Sequence, residues 1–408
     1  MINTNLIKRI TSKFYKIILL PISLIIFVFI IIIRPLKLIK ICKMPSSRFG
    51  HFIGNTEIFL SYKQLALIDE TIIFFLKKPT ANIFVEKMIK KKILVFPEEI
   101  MSSIFLILNK LKFLNFFKCH LFDLRAFDRD IDNILLRTSL NLSLNLSENT
   151  MGSQFLKKMG LTENDKFICL VNRESNYLKK KNLNYINHEY RNSNIFNYKL
   201  ACEEILKKNY FIFRMGRNVE PIAIANDKFI DYANSKFCND FLDVYLASKC
   251  EFAFGDSDGW IMAPISFRKP VGLVNWFPAG VPYLHNNNLI YLFKHYYDMK
   301  SKKNLTLREI FEKDLAFEIY SKKFSSEYEI KQNSPEEIRD LVCELIMKQE
   351  NQWKDQMGDE ILIEKFNKII LENSTSERWG NKEEKKLHNK ILGRYSMNFL
   401  RLNNQWVN

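Results

Sequence analysis

Asp256-Ser257-Asp258, within EFAFGDSDGW (251–260), sets two carboxylates and a hydroxyl between glycines directly after an apolar run. Two chemistries suit that pattern. As a DxD pair, the aspartates are hard oxygen ligands for a divalent cation. As the turn between a buried strand and a helix, Ser257, Gly259 and the free N–H groups of the helix start would hold an anion such as phosphate. The plainest alternative is a tight connection with Asp256 or Ser257 as helix cap.

Other chemistry-bearing residues follow apolar runs in the same way. FICLVN (167–172) leads into Arg173, Glu174 and Tyr177. YFIFRMG (210–216) carries Arg214 and Gly216 and is followed by Arg217. VGLVNW (271–276) ends on Asn275 and Trp276. Guanidinium groups grip phosphate bidentately, so this set suits a diphosphate bearing a base or sugar. Arg173 and Arg214 can equally be ion-pair partners. Neither GxGxxG nor GxxxxGK[ST] occurs, which removes the usual dinucleotide and P-loop readings. Earlier, SRFGHFIGNTE (47–57) places Arg48, Gly50, His51 and Glu57 after the apolar KLIKICKM. A lone histidine there reads as a structural residue as readily as a proton acceptor. HEYRN (188–192) precedes a helical stretch, and His188 and Glu189 read as loop residues.

Bringing these groups together requires strands whose carboxyl ends share one rim. The second half supplies them: apolar runs at 167–172, 210–216, 229–233, 251–255 and 271–276 alternate with helical stretches at 193–208, 239–248 and 258–267. Near-continuous apolar strands separated by helices predict an α/β fold with a parallel, helix-covered sheet. Right-handed crossovers then put every strand's C-terminal end on one side, where such sheets bind ligands. The charged stretch 151–166 reads as an interdomain connection. Asn333-Ser334-Pro335-Glu336-Glu337 predicts a helix start with Ser334 as N-cap, proline in the first turn and acids on the positive end of the dipole. Residues 36–150 give a less regular mixture of short apolar runs and helical segments.

At 408 residues, 47% hydrophobic and 26% charged, the chain is a globular protein large enough for two domains. Seven scattered cysteines, none in a CxxC pair, point to reduced thiols and against a structural zinc. Nine of the +16 net charges precede Glu57, the first acidic residue: Lys8, Arg9, Lys13, Lys16, Arg34, Lys37, Lys40, Lys43 and Arg48. Between them lies the uncharged IILLPISLIIFVFIIII (17–33), short for a bilayer span but predicting a membrane anchor, either spanning or re-entrant around Pro21. The following lysines suit an anionic leaflet. No basic stripe with interleaved aromatics supports nucleic-acid binding.

Taken in order, VNRESNYL, HEYRNSNIFNY, YFIFRMG, DYANS, FLDVYLASKCEFAFGDSDG and PVGLVNWFP resemble a family of bacterial glycosyltransferases from surface-polysaccharide gene clusters. The likeness runs from SRFGHFIGNTEIFL to the terminal GRYSMNFLRLNNQW. It implies a GT-B-like architecture of two Rossmann-like domains with a cleft between them. The domain boundaries expected are an anchor at 1–44, an acceptor-side domain at 45–150, a nucleotide-sugar domain at 151–330 and a helical region at 331–408. The segment around Arg173 is also similar to the arginine motif of fucosyltransferase-like enzymes, which implies that Arg173 contacts the donor diphosphate and that Arg191 and Arg214 line the same cleft. Gly216, Asp256, Ser257, Gly259 and Asn275 complete the expected donor side. The resemblance makes His51 the candidate catalytic base, with Glu57 second.

Two positions depart from the family pattern: Val171 stands where relatives often have histidine, and Asp256-Ser257-Asp258-Gly259 replaces a Thr/Ser-Ser-Gly turn. Carboxylates beside a pyrophosphate are unfavourable unless protonated, turned away or offset by arginines. The implied reaction is metal-independent sugar transfer, without a cofactor, from a nucleotide sugar to a hydroxyl of a lipid-linked or growing saccharide. It would run at the cytoplasmic face of a bacterial inner membrane, with no nucleic-acid partner. Two alternatives stand beside it: a metal-dependent GT-A enzyme using Asp256-Ser257-Asp258, and a non-catalytic, membrane-tethered saccharide-binding or assembly subunit.

Overall fold

The computed structural model describes residues 18–124, 130, 132–174, 186–280, 288–318, 323–373 and 391–408. Tyr177 and the basic residues Lys8, Arg9, Lys13 and Lys16 lie outside them. The chain forms two compact units, Met1–Asp128 with Thr138–Ser143, and Arg129–Arg137 with Leu144–Asn408.

The first unit is built on two parallel strands, β1 (Ile39–Met44) and β2 (Thr71–Leu76). Single-residue bridges widen this pair on either side, Ile41 with Leu121 and Phe74 with Val95. The apolar N-terminal segment forms helix α1 (Leu20–Ile32), followed by α2 (Phe49–Gln64), α3 (Ile83–Lys90), α4 (Glu98–Leu111) and the short α5 (Asn115–Lys118). Asn82 caps α3 by accepting from Val85 N. Among the described residues no helix is long and apolar enough to cross a membrane. The boundary expected at residue 44 also moves, because KLIKICKM supplies β1 and so joins the first unit rather than an anchor.

The second unit holds a seven-stranded parallel sheet in the order β12-β8-β7-β6-β3-β4-β5. Its strands are β3 (Phe167–Val171), β4 (Phe211–Met215), β5 (Phe229–Ile230), β6 (Ala253–Gly255), β7 (Val271–Trp276), β8 (Leu289–Phe293) and β12 (Arg394–Tyr395). A small antiparallel sheet, β9 (His295–Asp298), β10 (Lys303–Asn304) and β11 (Tyr328–Lys331), follows β8. Every residue of β3, β4, β6, β7 and β8 is buried, as a parallel sheet covered on both faces requires.

Two groups of helices accompany the sheet: α6 (Leu146–Lys158), α8 (Asp240–Lys249) and α9 (Met262–Ser266), and α7 (Lys199–Lys207) with α10 (Pro335–Gln349). Gly272 of β7 lets α10 approach, since a Cβ there would lie 2.6 Å from Leu341. The expected start of α10 is present: Ser334 Oγ accepts from Glu337 N, Glu337 accepts from Ser334 N, and Pro335 opens the helix.

Three expectations need correction. The stretch 151–166 is no linker, because most of it belongs to α6 or leads into β3. The 331–408 region is no separate element, because it supplies α10 and the edge strand β12 to the second unit. The helix expected at 258–267 is a 3-10 turn, Gly259–Ile261, and five α-helical residues.

Candidate functional site

Counted along the second unit, the sheet's first six strands stand in the order 3-2-1-4-5-6, so the chain changes direction between β3 and β6. At such a switch point the loops leaving two adjacent strands part, opening a crevice above their C-terminal ends. Here those loops begin with Asn172-Arg173 and with Asp256-Ser257.

The two strands meet closely. Gly255 has φ +154°, and a Cβ on it would lie 1.9 Å from the Val171 carbonyl oxygen, so only glycine fits. The next residue, Asp256, turns its carboxylate back across the switch point. Its Oδ2 accepts from Arg173 N at 2.8 Å and from Ser193 Oγ, while Oδ1 is buried with no hydrogen-bond partner. Burial pushes this carboxyl up to about 6, against the two hydrogen bonds, which favour the ionised form. Asp258 has a different task, accepting from Trp260 N at 2.7 Å and capping the 3-10 turn. Both aspartates thus hold main-chain N–H groups, and the DxD pattern is spent largely on shaping the turn.

Arg191 closes the same corner. Its Nε donates to Ser257 Oγ at 3.0 Å and its Nη2 to the Ser257 carbonyl oxygen, tying the YRN segment to the DSD turn. Burial, followed by the charge of Arg173, lowers its pKa. Arg173 is anchored by its backbone, its N–H on Asp256 and its carbonyl accepting from Ser193 N at 3.3 Å. Its Nε is buried without a hydrogen-bond partner. Among the described residues neither Arg173 nor Arg191 makes an ion pair. Two guanidinium groups near one another, neither in an ion pair among the described residues, have the chemistry to receive a polyanion.

The structure places other expected donor residues elsewhere. Arg214 is fully buried; its guanidinium binds Glu174 at 3.0 Å, Asp231 at 3.4 Å and Asn172 Oδ1 at 3.1 Å. That leaves no accessible face for a phosphate, so Arg214 braces the loops after β3 and β4. Arg217 is likewise paired with Asp240 and Asp243. Gly216, with φ +138°, turns the chain out of β4. Buried Asn275 exchanges two hydrogen bonds with Asn333, through its N–H at 2.6 Å and its Oδ1 at 2.7 Å, and so fastens β7 to the start of α10. Ser257 is almost fully buried under Arg191, and Gly259 opens the 3-10 turn.

In the first unit, Glu57 is fully buried on α2 and accepts from Asn141 N at 3.0 Å and Leu142 N at 2.9 Å. A carboxylate enclosed in this way holds the 138–143 segment and is not available as a base. His51 lies half-buried in the first turn of α2.

Lys294 joins these residues without being marked by any of the motifs. It follows β8, a strand that LIYLF (289–293) signals plainly once read as one, and so belongs to the same rim. Its buried Nζ donates to the carbonyls of Tyr190 at 2.8 Å and Asn192 at 2.7 Å, bracketing Arg191. Burial depresses its pKa to about 8, opposed by the charge of Asp256. Ser193 and Tyr198, which join Oγ to OH at 2.9 Å beneath Asp256, were also unforeseen. None of the seven cysteines is in a disulfide, and among the described residues no three His, Cys, Asp or Glu side chains cluster as for a metal ion.

The fold and rim together define an α/β protein with a large, Rossmann-order parallel sheet and a cationic switch point. No family profile and no curated protein matches the chain. Among solved structures it is similar to a glycosyl transferase family 9 protein from Veillonella parvula DSM 2008, at 9% identity and TM-score 0.43 over 76% of this chain and 97% of that one. It is also similar to E. coli ADP-heptose lps heptosyltransferase II, at 10% identity and TM-score 0.40 over 76% and 99%. Methanocaldococcus jannaschii UDP-GlcNAc 2-epimerase follows at 12% identity and TM-score 0.28 over 76% and 99%.

Proposed function

We propose that this chain is a GT-B-type glycosyltransferase that moves a sugar from a nucleotide sugar to a hydroxyl of a lipid-linked or growing surface polysaccharide. The place of action in this reading is the cytoplasmic face of a bacterial inner membrane. The observation that carries it is the pair Arg173 and Arg191 at the switch point, joined to the DSD turn and free of carboxylate ion pairs among the described residues.

In this reading the donor diphosphate lies against the two guanidinium groups and the main-chain N–H groups around Ser257 and Gly259. As the nucleoside diphosphate departs it gains negative charge, which fixed cationic donors stabilise without reorganisation. The arginines supply that stabilisation without a metal ion. Asp256 serves as the brace that presents Arg173, and its raised pKa lowers the cost of a carboxyl beside phosphates. His51 takes the proton of the acceptor hydroxyl.

A thermal-shift screen of UDP-, GDP-, CMP- and ADP-sugars tests the donor side. One nucleotide class should stabilise the wild-type protein, and Arg173→Ala should weaken that binding about 100-fold, the loss of a bidentate charged contact. Stabilisation by none of them would refute the reading. Transfer should survive EDTA; activity that vanishes and returns with Mn²⁺ would favour the metal-dependent alternative.

A further inference from the structure

α1 is apolar on every side, yet its outer face meets no part of the described chain. Ser23 and Ile30 are buried against the first unit: Ser23 Oγ donates to the Ile100 carbonyl at 3.2 Å, and Ile30 joins a core with Ile41, Ile73, Met101, Ile104 and Leu108. Away from that seam the side chains stand open, Ile25 at 69%, Phe29 at 57% and Ile32 at 70% exposed.

The open face continues onto the end of α4 and onto α5. Phe27 stacks on Phe117 with centroids 6.2 Å apart, and Arg34 lies 4.2 Å over the Phe116 ring. Beside them Phe113 is 76% exposed and Leu106 56% exposed. A contiguous apolar surface of this kind is foreign to a protein meeting only water.

Its charge identifies the occupant. Arg34, Lys37, Lys110, Lys112 and Lys118 accompany the apolar residues, and no acidic residue occurs before Glu57 or between Met101 and Phe122. Apolar side chains fringed by lysine and arginine suit the boundary of an anionic bilayer, where the rings and aliphatic groups enter the acyl region and the cations meet the headgroups.

Geometry then decides how the chain meets the lipid. Among the described residues α1 has thirteen residues, about 20 Å of helix, against a hydrocarbon core of about 30 Å. One side of the helix is also committed to the protein's own core, whereas a spanning helix would need lipid or other membrane segments around it. We infer that α1, with Phe113 and Phe116, lies in the plane of one leaflet of an anionic membrane and docks the first unit there without crossing. This deepens the reading above on its membrane side and rests on it only for the presence of a bilayer.

Flotation of the full chain with phosphatidylcholine vesicles, with and without phosphatidylglycerol, tests it, with no sugar donor present. The wild-type protein should float with the anionic vesicles. Ile25→Glu with Phe29→Glu should reduce binding about tenfold or more. Lys110→Glu with Lys112→Glu should remove the preference for phosphatidylglycerol, while Met357→Glu, at an exposed position in the other unit, should change nothing. Melting curves of these surface variants should match that of the wild type.

Probes on Leu20→Cys and Ile32→Cys, with Cys119, Cys238 and Cys343 changed to Ser, should report equal depth by lipid-borne quenchers. Unequal depths would mean a span and overturn the inference. So would wild-type protein that ignores vesicles and self-associates through this face. The nucleotide screen, run without vesicles, fails or succeeds independently.

Discussion

The backbone N–H of Arg173 and the carboxylate of Asp256 are joined across the switch point at 2.8 Å. The bond links the two loops that part there and fixes the main chain of Arg173, whose guanidinium makes no ion pair among the described residues. Under the proposed function that guanidinium meets the donor diphosphate. Arg214, two strand positions before Gly216, has the opposite character: every observed bond of its guanidinium is internal.

The two arginines should therefore separate binding from stability. Arg173→Ala should change unfolding free energy by less than about 0.5 kcal/mol, as for a side chain with no ion pair among the described residues, while losing nucleotide affinity. Arg214→Ala should cost about 3–5 kcal/mol, because it strands Glu174 and Asp231 beside an emptied buried site. Urea denaturation of both variants checks the contrast, and equal stability losses would contradict it.

Asp256 predicts a pH dependence with a definite sign. Its carboxyl, pushed up to about 6 by burial, would titrate near about 3.9 in the unfolded chain. Between those values the folded chain holds a proton that the unfolded chain has released. The group's contribution is thus complete below the window and is withdrawn as pH rises through it, by up to about 3 kcal/mol. Asp256→Asn should flatten this part of the stability profile. Diphosphate binding should also tighten as pH falls from 7 to 5.5 in the wild type and not in the variant, measured by titration calorimetry.

Glu57 and His51 can be told apart by what their loss affects. Glu57→Gln leaves donors at Asn141 and Leu142 facing an amide and should lower stability by about 1–3 kcal/mol, with little change in kcat for correctly folded enzyme. His51→Ala should lower kcat about 100-fold or more if it acts as general base, with the melting temperature little altered. The reverse pattern would move the base elsewhere.

Gly255 and Gly160 both have positive φ, but their surroundings differ. Alanine at Gly160 meets nothing within 4 Å and should cost about 1 kcal/mol from backbone strain alone. Alanine at Gly255 runs into the Val171 carbonyl and should cost about 3 kcal/mol or more, or prevent folding. Expression as soluble protein and chemical unfolding distinguish them.

The second unit was legible because a buried parallel strand advertises itself as an unbroken apolar run and its rim as whatever polar residue comes next. FICLVN, YFIFRMG, EFAFG and VGLVNW all became strands, which brings Arg173 and the DSD turn to one rim; Arg191, placed there beforehand only by the family resemblance, bonds to Ser257 of that turn. Strand LIYLF went unread, so Lys294 was lost with it. Arginine types alone could not tell Arg173 from Arg214, since the difference lies in the distant carboxylates Glu174 and Asp231 that the fold brings to one of them. The same limit made Glu57 resemble a base: its hydrogen-bond partners come from Asn141 and Leu142, some 84 residues on. In the first unit, KKILVF contributes a single bridge at Val95 rather than a strand, too little pairing for the pattern to reveal.

Strand β12 has a consequence for how the chain is made. Arg394 and Tyr395 cover the open side of β8, and the Tyr395 hydroxyl accepts from Phe293 N across 102 residues of sequence. While a ribosome is still translating the stretch between them, β8 presents an unpaired row of N–H and C=O groups on a strand of Leu, Ile, Tyr, Leu and Phe. Such an edge readily templates pairing with other chains. This edge of the sheet is therefore closed only by the last residues of the chain to be made, Arg394 and Tyr395 among them.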